Sequence, residues 1–330
     1  MTTCARSSKE LLDASRQFAS ENRLRSWWAL LSTTALLVIV EVAIVRFDTW
    51  ALRLPLMLLA SLTIIREFTI VHDYYHGAIL RRSLAARIIL YPFSVLLMTP
   101  PSIWRQTHNY HHAHTAKLVG SHVGSYVMVT PQLWAKMGSR ERFMYRAIRH
   151  PLTIAGGYFT VFMLGMCISP FLRSPRRNWQ AAFTLIVNWL VTAVLIAKFG
   201  FTIFFVTFFA PLSFAMAVGA YLFYAQHNFP DVHIQPRESW SFSRAATESS
   251  SFMRMGPMMS YFTGNIGYHH VHHLNSQIPF YRLPEAMAAI EELHDPPTTS
   301  LSPTSIAACF RLKLWCPERN RMIGFHEIAT

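Results

Sequence analysis

Four apolar runs, each close to the length needed to cross a bilayer, limit how this chain can fold. They extend from Trp27 to Val45, Leu54 to Val71, Ala181 to Ala197 and Phe201 to Ala225. A spanning helix needs about 20 such residues. The composition agrees: 52% of the 330 residues are hydrophobic and 14% are charged, where a soluble domain carries about 25% charged residues. The expected class is an all-α, multi-pass integral membrane protein with four transmembrane helices.

The first two runs are joined by a short turn around Asp48 and the last two at Lys198-Phe199-Gly200, so each pair reads as an antiparallel hairpin. Glu41 stands mid-span in the first run and should face the bundle interior, because a carboxylate facing lipid is costly. Two further apolar stretches read as non-crossing. Ile88 to Met98 is short and is followed by Thr99-Pro100-Pro101, as expected for an interfacial or re-entrant segment. Leu152 to Leu172 is interrupted by Gly156-Gly157 and Ser169-Pro170. It is also flanked by arginines on both sides (Arg140, Arg142, Arg146 and Arg149; then Arg173, Arg176 and Arg177). Positive flanks stay on the cytosolic side, so this stretch should dip or lie flat.

The net charge of +13 is scattered between apolar runs rather than gathered on one module. It reads as juxtamembrane charge facing anionic headgroups, and no nucleic acid partner is expected. Cys4, Cys167, Cys309 and Cys316 form no CxxC pair and read as free thiols of a reducing compartment. No short apolar core with a small-residue cleavage site follows the basic N-terminus, so the first run is expected to be a retained span. The expected organisation is a cytosolic segment at 1–26, a membrane and cap unit at 27–295, and a tail at 296–330. Pro296 to Pro303 reads as the linker into that tail.

Nine histidines fall in four clusters: His72 and His76; His108, His111 and His112; His227; and His269, His272 and His273. Imidazole is the commonest side-chain ligand of first-row transition metals. Residues three and four apart share a helix face, so each multi-histidine box aims several ring nitrogens one way. All the boxes serve one site only if they lie on one side of the membrane, which independently favours four spans with both termini cytosolic. With no cysteine among them and no HExxH helix, structural zinc and a zincin protease are disfavoured. Nine imidazoles exceed the needs of one ion and suit two, each with four or five protein ligands. Imidazole accepts iron, copper, zinc and nickel, so the residues alone do not name the metal. A redox pair beside an apolar cavity fits oxygen activation better than hydrolysis.

Four passages resemble the membrane fatty acid desaturases of the acyl-lipid type, over about Arg66 to Glu285. They are His72-Asp-Tyr-Tyr-His76-Gly, Trp104-Arg105-Gln-Thr-His108-Asn-Tyr-His111-His112, Tyr221-Leu-Phe-Tyr-Ala-Gln226-His227-Asn-Phe, and Gly264-Asn265-Ile-Gly-Tyr-His269-His-Val-His272-His273-Leu continuing to Ile278-Pro279 and Tyr281-Arg282-Leu283-Pro284. The resemblance implies a non-haem diiron enzyme that reduces O2 with two external electrons and removes two hydrogens from an acyl chain. The acyl group would sit on a lipid or thioester, and the electrons would come from a separate carrier such as a ferredoxin or cytochrome b5. It maps the family's ligands onto the nine histidines above. The setting implied is a bacterial inner membrane with a cytosolic cap carrying the boxes, or the endoplasmic reticulum in a eukaryote.

Two departures stand out. Where better-known members carry an asparagine holding a metal-bound water, one turn before the lone histidine, this chain has Phe223; Asn265, one turn before His269, is the candidate substitute. Tyr75 stands where first boxes often have glycine. Asp73 either orients a ligand imidazole or is a helix-end acid. His270 breaks the three-four spacing and reads as a neighbour of the ligands. His114, His122, His150, His233, His294 and His326 carry no spacing signal and read as exposed or interfacial. The run Phe201 to Phe209 lines an acyl tunnel or faces lipid. Trp104 and Arg105 precede the second box, and Arg105 either attracts an anionic headgroup or is simply juxtamembrane. The competing readings are a carotenoid ketolase or hydroxylase, or an acyl hydroxylase, on the same metal site. From another class comes a divalent-metal or haem-binding membrane transporter, although its ligands would sit near the midplane and these lie at span ends.

Overall fold

The computed structural model describes residues 6–118, 123–236 and 238–328. It is dominated by helices, and four three-residue strands form two small sheets among the described residues. The helix Arg23–Arg46 starts at Asn22, whose Oδ1 accepts the Arg25 N–H at 3.0 Å. Its partner Trp50–His76 returns antiparallel after the turn at Asp48. Arg53 fastens that turn, with its Nη2 2.9 Å from Asp48 Oδ1 and its Nε donating to the Ile44 carbonyl at 3.3 Å. Gly77, in the left-handed region at φ 74°, ends the second helix directly after His76. That conformation favours glycine and satisfies the last carbonyls.

By length and apolar composition, Arg23–Arg46, Trp50–His76 and Trp179–Ala225 qualify to cross a membrane. They become four if the bent pair Leu84–Leu96 and Pro101–His114 counts as one. That pair turns by 85° at Pro100-Pro101, where proline cannot continue the preceding hydrogen-bond ladder. Trp179–Ala225 is not one regular helix. Gly200, at φ 83° and ψ 164°, leaves helical conformation, at the very residue where the sequence divides two spans. Both flanks of the break pack on the segment Tyr158–Ile168. Exposed apolar residues such as Val38, Ile39, Trp189 and Leu190 cover the outer faces of these helices, the pattern of an apolar-solvent surface rather than an aqueous one.

The Leu152 to Leu172 stretch forms Pro151–Ala155, a π-helical turn series Tyr158–Ile168, and Ser169–Arg173. Its apolar helical part, Tyr158–Arg173, is shorter than the candidate spans. Gly157 lets it lie against Ala210–Ala225: a Cβ there would sit 2.8 Å from the Met216 carbonyl oxygen and 3.1 Å from Ala220 Cβ.

Pro296 to Pro303 is not a free linker. Thr298–Ser300 pairs in parallel with Phe252–Arg254, with Met253 opposite Thr299. Beyond it, Leu314–Cys316 pairs antiparallel with Arg321–Ile323. Cys309, Trp315 and Met322 share a core with Leu222, Ala225 and Phe229, so the C-terminal residues cover the end of the Ala210–Ala225 helix. The Pro, Thr and Ser residues that suggested a linker serve as strand and helix-cap residues: the Ser302 hydroxyl accepts the Ser305 N–H. Cys167, Cys309 and Cys316 are free and buried, and Cys4 lies outside the described residues.

Gly157→Val should destabilise the protein by about 1–3 kcal/mol through overpacking against Met216 and Ala220. Thermal unfolding in detergent checks this. An unchanged transition would show that the Tyr158–Ile168 segment does not need this close approach.

Candidate metal centre

The structure brings all nine boxed histidines to the end of the helical bundle and sorts them into two groups. His72, His76, His108, His112 and His272 form one, and His111, His227, His269 and His273 the other; within each group one nitrogen per ring lies within 4.8 Å of the rest. Helical spacing explains the sorting. In Pro101–His114, His108 and His112 are four apart and enter the first group, while His111 points to the second. In His269–Leu274 the roles reverse: His269 and His273 enter the second group and His272 the first. His72 and His76 come from the last turn of Trp50–His76, and His227 lies just past the end of Ala210–Ala225.

The Nε2 atoms converge. His72 and His108 are 3.0 Å apart, His108 and His112 3.2 Å, and His112 and His272 3.1 Å. In the second group His111 and His227 are 3.0 Å apart, His227 and His269 2.9 Å, and His269 and His273 3.1 Å. With metal–nitrogen bonds of about 2.1 Å, two ligands at right angles sit about 3.0 Å apart. The donor set therefore fits a transition-metal ion in each group.

Hydrogen bonds on the far side of the rings fix which nitrogen faces inward. The Ser249 carbonyl, 3.1 Å from His227 Nδ1, can only accept, so Nδ1 carries the proton and Nε2 presents its lone pair. Asp73 Oδ1 lies 3.0 Å from His72 Nδ1 and holds that ring from its outer side. Thr115 donates its hydroxyl to the His111 carbonyl at 2.6 Å and lies 3.3 Å from His273 Nδ1, so it accepts from that ring. Ser125 Oγ lies 2.6 Å from His111 Nδ1. Burial holds His227 down to about 4, against the opposing pull of the Ser249 carbonyl. His269, His272 and His273 lie well below the ordinary histidine value, through burial first and neighbouring histidines second. These rings are neutral at pH 7, the state that ligation requires.

The supporting residues divide differently. Asp73 is buried and bridges, its Oδ2 accepting the Phe280 N–H at 2.7 Å. Asn265 Nδ2 donates to the Phe280 carbonyl at 3.1 Å. His270 is fully buried, joins neither group, and lies 3.3 Å from the Leu293 carbonyl through Nε2. His150, His294 and His326 are exposed, and His114 and His233 are half-buried; none joins a group. His122 lies outside the described residues. Trp104 stacks on His108 with ring centres 4.4 Å apart, whereas Arg105 is exposed. Phe223 walls the second group, 5.0 Å from the His111 ring, and lines a cavity there with Tyr126, Met128, Tyr224 and Ile234. Sequence reading missed Thr115, Ser125 and Ser249. Thr115 had a signal, four residues after His111; Ser125 and Ser249 arrive only through tertiary folding.

The sequence profile described as fatty acid desaturase matches residues 48–302. The chain belongs to the fatty acid desaturase family. A Bacillus subtilis protein named fatty acid desaturase is 30% identical over 288 residues, covering 85% of this chain and 79% of its own length. An sn-1 oleoyl-lipid 12-desaturase from Picosynechococcus sp. is 23% identical over 290 residues, with 86% and 82% covered. One of the same name from Anabaena variabilis is 24% identical over 289 residues, with 83% and 80% covered. For a desaturase of this family, desaturation of an acyl lipid at a histidine-held metal site is the activity that membership and geometry together support.

Thr115→Val should leave His273 Nδ1 without its acceptor and lower transition-metal affinity about 10–100-fold. Chelator competition reads this out; unaltered affinity at both groups would mean that Thr115 does not orient His273.

Proposed function

We propose that this desaturase is an O2-dependent non-haem diiron enzyme that introduces a double bond into the acyl chain of a membrane lipid or acyl thioester. The division of nine histidines into groups of five and four carries the reading: each group is enough to hold one ion and leaves coordination positions open. The ligands are His72, His76, His108, His112 and His272 for one iron, and His111, His227, His269 and His273 for the other. The iron pair supplies the capacity to reduce O2 with two external electrons while two hydrogens leave the acyl chain.

The chain's own residues prepare that chemistry. Asp73, Thr115, Ser125 and Ser249 hold four rings in the orientation that turns Nε2 inward. Trp104 and Phe223 flank the groups with apolar surface that limits water. Asn265, committed to Phe280, supports the loop that Asp73 also grips rather than holding a water at the metal. The relatives named for oleoyl-lipid substrates favour a glycerolipid over a thioester carrier, and desaturation over ketolation or hydroxylation. A transporter fits poorly, because the histidines gather at helix ends rather than near a bilayer midplane.

The electrons come from an external carrier such as a ferredoxin or cytochrome b5. The membrane is spanned four times, with Gly200 as the turn between the last two spans. All boxes and both termini face the cytosol, in a bacterial inner membrane or, in a eukaryote, the endoplasmic reticulum. Separation of the hairpin turns at Asp48 and Gly200 from the histidine ends of Trp50–His76 and Ala210–Ala225 supports this arrangement.

Expression in a host with a simple lipid profile, followed by fatty acid analysis with double-bond location, tests the activity. New unsaturated species should appear only with O2, and the purified protein should hold about two irons per chain. His227→Ala should abolish the product without loss of membrane insertion, while His294→Ala should retain it. Full turnover and two irons in His227→Ala would remove His227 from the site. Stoichiometric zinc or a single ion in active protein would overturn the diiron assignment.

Topology is tested by labelling in intact cells. Cysteines at Arg176 and beside His112 should be reachable only from the cytosol, and those at Asp48 and Gly200 only from outside. Outside labelling at Arg176 would mean that the Tyr158–Arg173 segment crosses and that the four-span arrangement is wrong.

A further inference from the structure

The helix Ser139–Ile148 has two unlike faces. Its inner face is fully engaged by protein. Tyr145 is buried and donates its hydroxyl to the Lys313 carbonyl at 2.5 Å. Arg142 donates to the Trp134 and Ala135 carbonyls at 3.1 and 2.8 Å, and Arg146 lies 5.2 Å from the centres of both the Trp134 and Phe325 rings. The outer face is apolar and has no partner among the described residues. Phe143 is 68% exposed, Met144 49% and Ile148 46%, and Leu152, just beyond the helix, is 74% exposed. Helical spacing sets Phe143, Met144, Ala147 and Ile148 on this one stripe. Arg140 stands on the same side at its start and is exposed.

We propose that Ser139–Ile148 lies in the plane of the bilayer boundary on the histidine side, with Phe143, Met144, Ile148 and Leu152 seated among acyl chains and Arg140 among anionic headgroups. Three observations select a bilayer as the occupant. Exposed apolar residues follow it along the chain, Leu152 and then Phe159 and Leu164, the last two in the segment that packs on the candidate spans. The level is also right. Arg149, next after the helix, donates from Nη1 to Asn228 Oδ1 at 2.8 Å, and Asn228 lies three residues past the end of Ala210–Ala225. The charge fits as well. Arg140 is the exposed cation of the outer side, Arg142 and Arg146 being turned to Trp134, and the helix's one acid, Glu141, accepts the Gly138 N–H at 2.8 Å. An amphipathic helix of this charge binds anionic surfaces.

This inference deepens the acyl-lipid reading at one point, and there it rests on that reading. Arg149 also donates to the Val127 carbonyl at 2.7 Å, and Tyr126, Met128, Arg149 and Asn228 line the cavity beside His111 and His227. The seated helix therefore holds that cavity's outer wall at the membrane boundary, where a lipid substrate resides.

Nitroxide labels on full-length protein in phosphatidylcholine discs, with and without phosphatidylglycerol, test the seating. The background is Cys4→Ser, since Cys167, Cys309 and Cys316 are buried. Labels at Phe143→Cys, Met144→Cys and Ile148→Cys should be several-fold more accessible to oxygen than to a water-soluble nickel chelate. A label at Arg319→Cys, in the exposed C-terminal turn, should show the reverse. Arg140→Glu should raise nickel access at Phe143→Cys in the anionic discs and leave it unchanged in the neutral ones. Ready nickel access at all three outer positions would overturn the proposal. So would short label-to-label distances between two copies in one disc, since the occupant would then be a second chain. The labels report without turnover, so a failure of the desaturase reading, seen as no product, is distinguishable from a failure of the seating.

Discussion

The architecture depends on imidazole lone pairs brought together away from water. A buried polar nitrogen without a partner costs free energy, and here six Nε2–Nε2 separations lie between 2.9 and 3.2 Å. At His227 the outer nitrogen donates to an obligate acceptor, the Ser249 carbonyl, so the inner one has no proton to offer its neighbour. Such a cluster is stable when a cation accepts the lone pairs. Much of the surrounding structure, including the stop at Gly77 and the folding of the C-terminal residues over the Ala210–Ala225 helix, serves to hold those rings in place.

The Asp73 carboxylate joins two distant parts of the chain. One oxygen orients His72 and the other takes the Phe280 N–H, while Asn265 takes the Phe280 carbonyl. Gly264 permits this approach, since a Cβ there would lie 2.6 Å from Thr69 Cγ2. One level below, Arg66 rests 3.9 Å from the Tyr261 ring centre and donates to the Tyr261 carbonyl. The last histidine box is thus clamped to the same helix that carries the first.

Eight of the nine histidines were legible because helical spacing is a local property: three-four intervals aim rings together whatever the rest of the chain does; the lone His227 was legible only through the family words around it. The break at Gly200 was legible as well, since that residue leaves helical conformation where the apolar pattern had divided the run. What escaped depended on tertiary contact. Ser125 and Ser249 reach His111 and His227 from segments with no motif. Asn265 had suitable chemistry at suitable spacing, yet its left-handed backbone, φ 55°, accompanies an amide directed to Phe280. Pro296 to Pro303 looked like a linker by composition, but strand pairing with Phe252–Arg254 is a long-range contact that composition does not encode.

The crossed allocation of the two three-histidine boxes means that neither group belongs to one helix. Pro101–His114 gives two rings to the first group and one to the second, and His269–Leu274 gives one and two. Each helix positions rings for both groups, so the geometry of the two groups is coupled through the backbone they share. A displacement of either helix therefore disturbs rings of both groups at once.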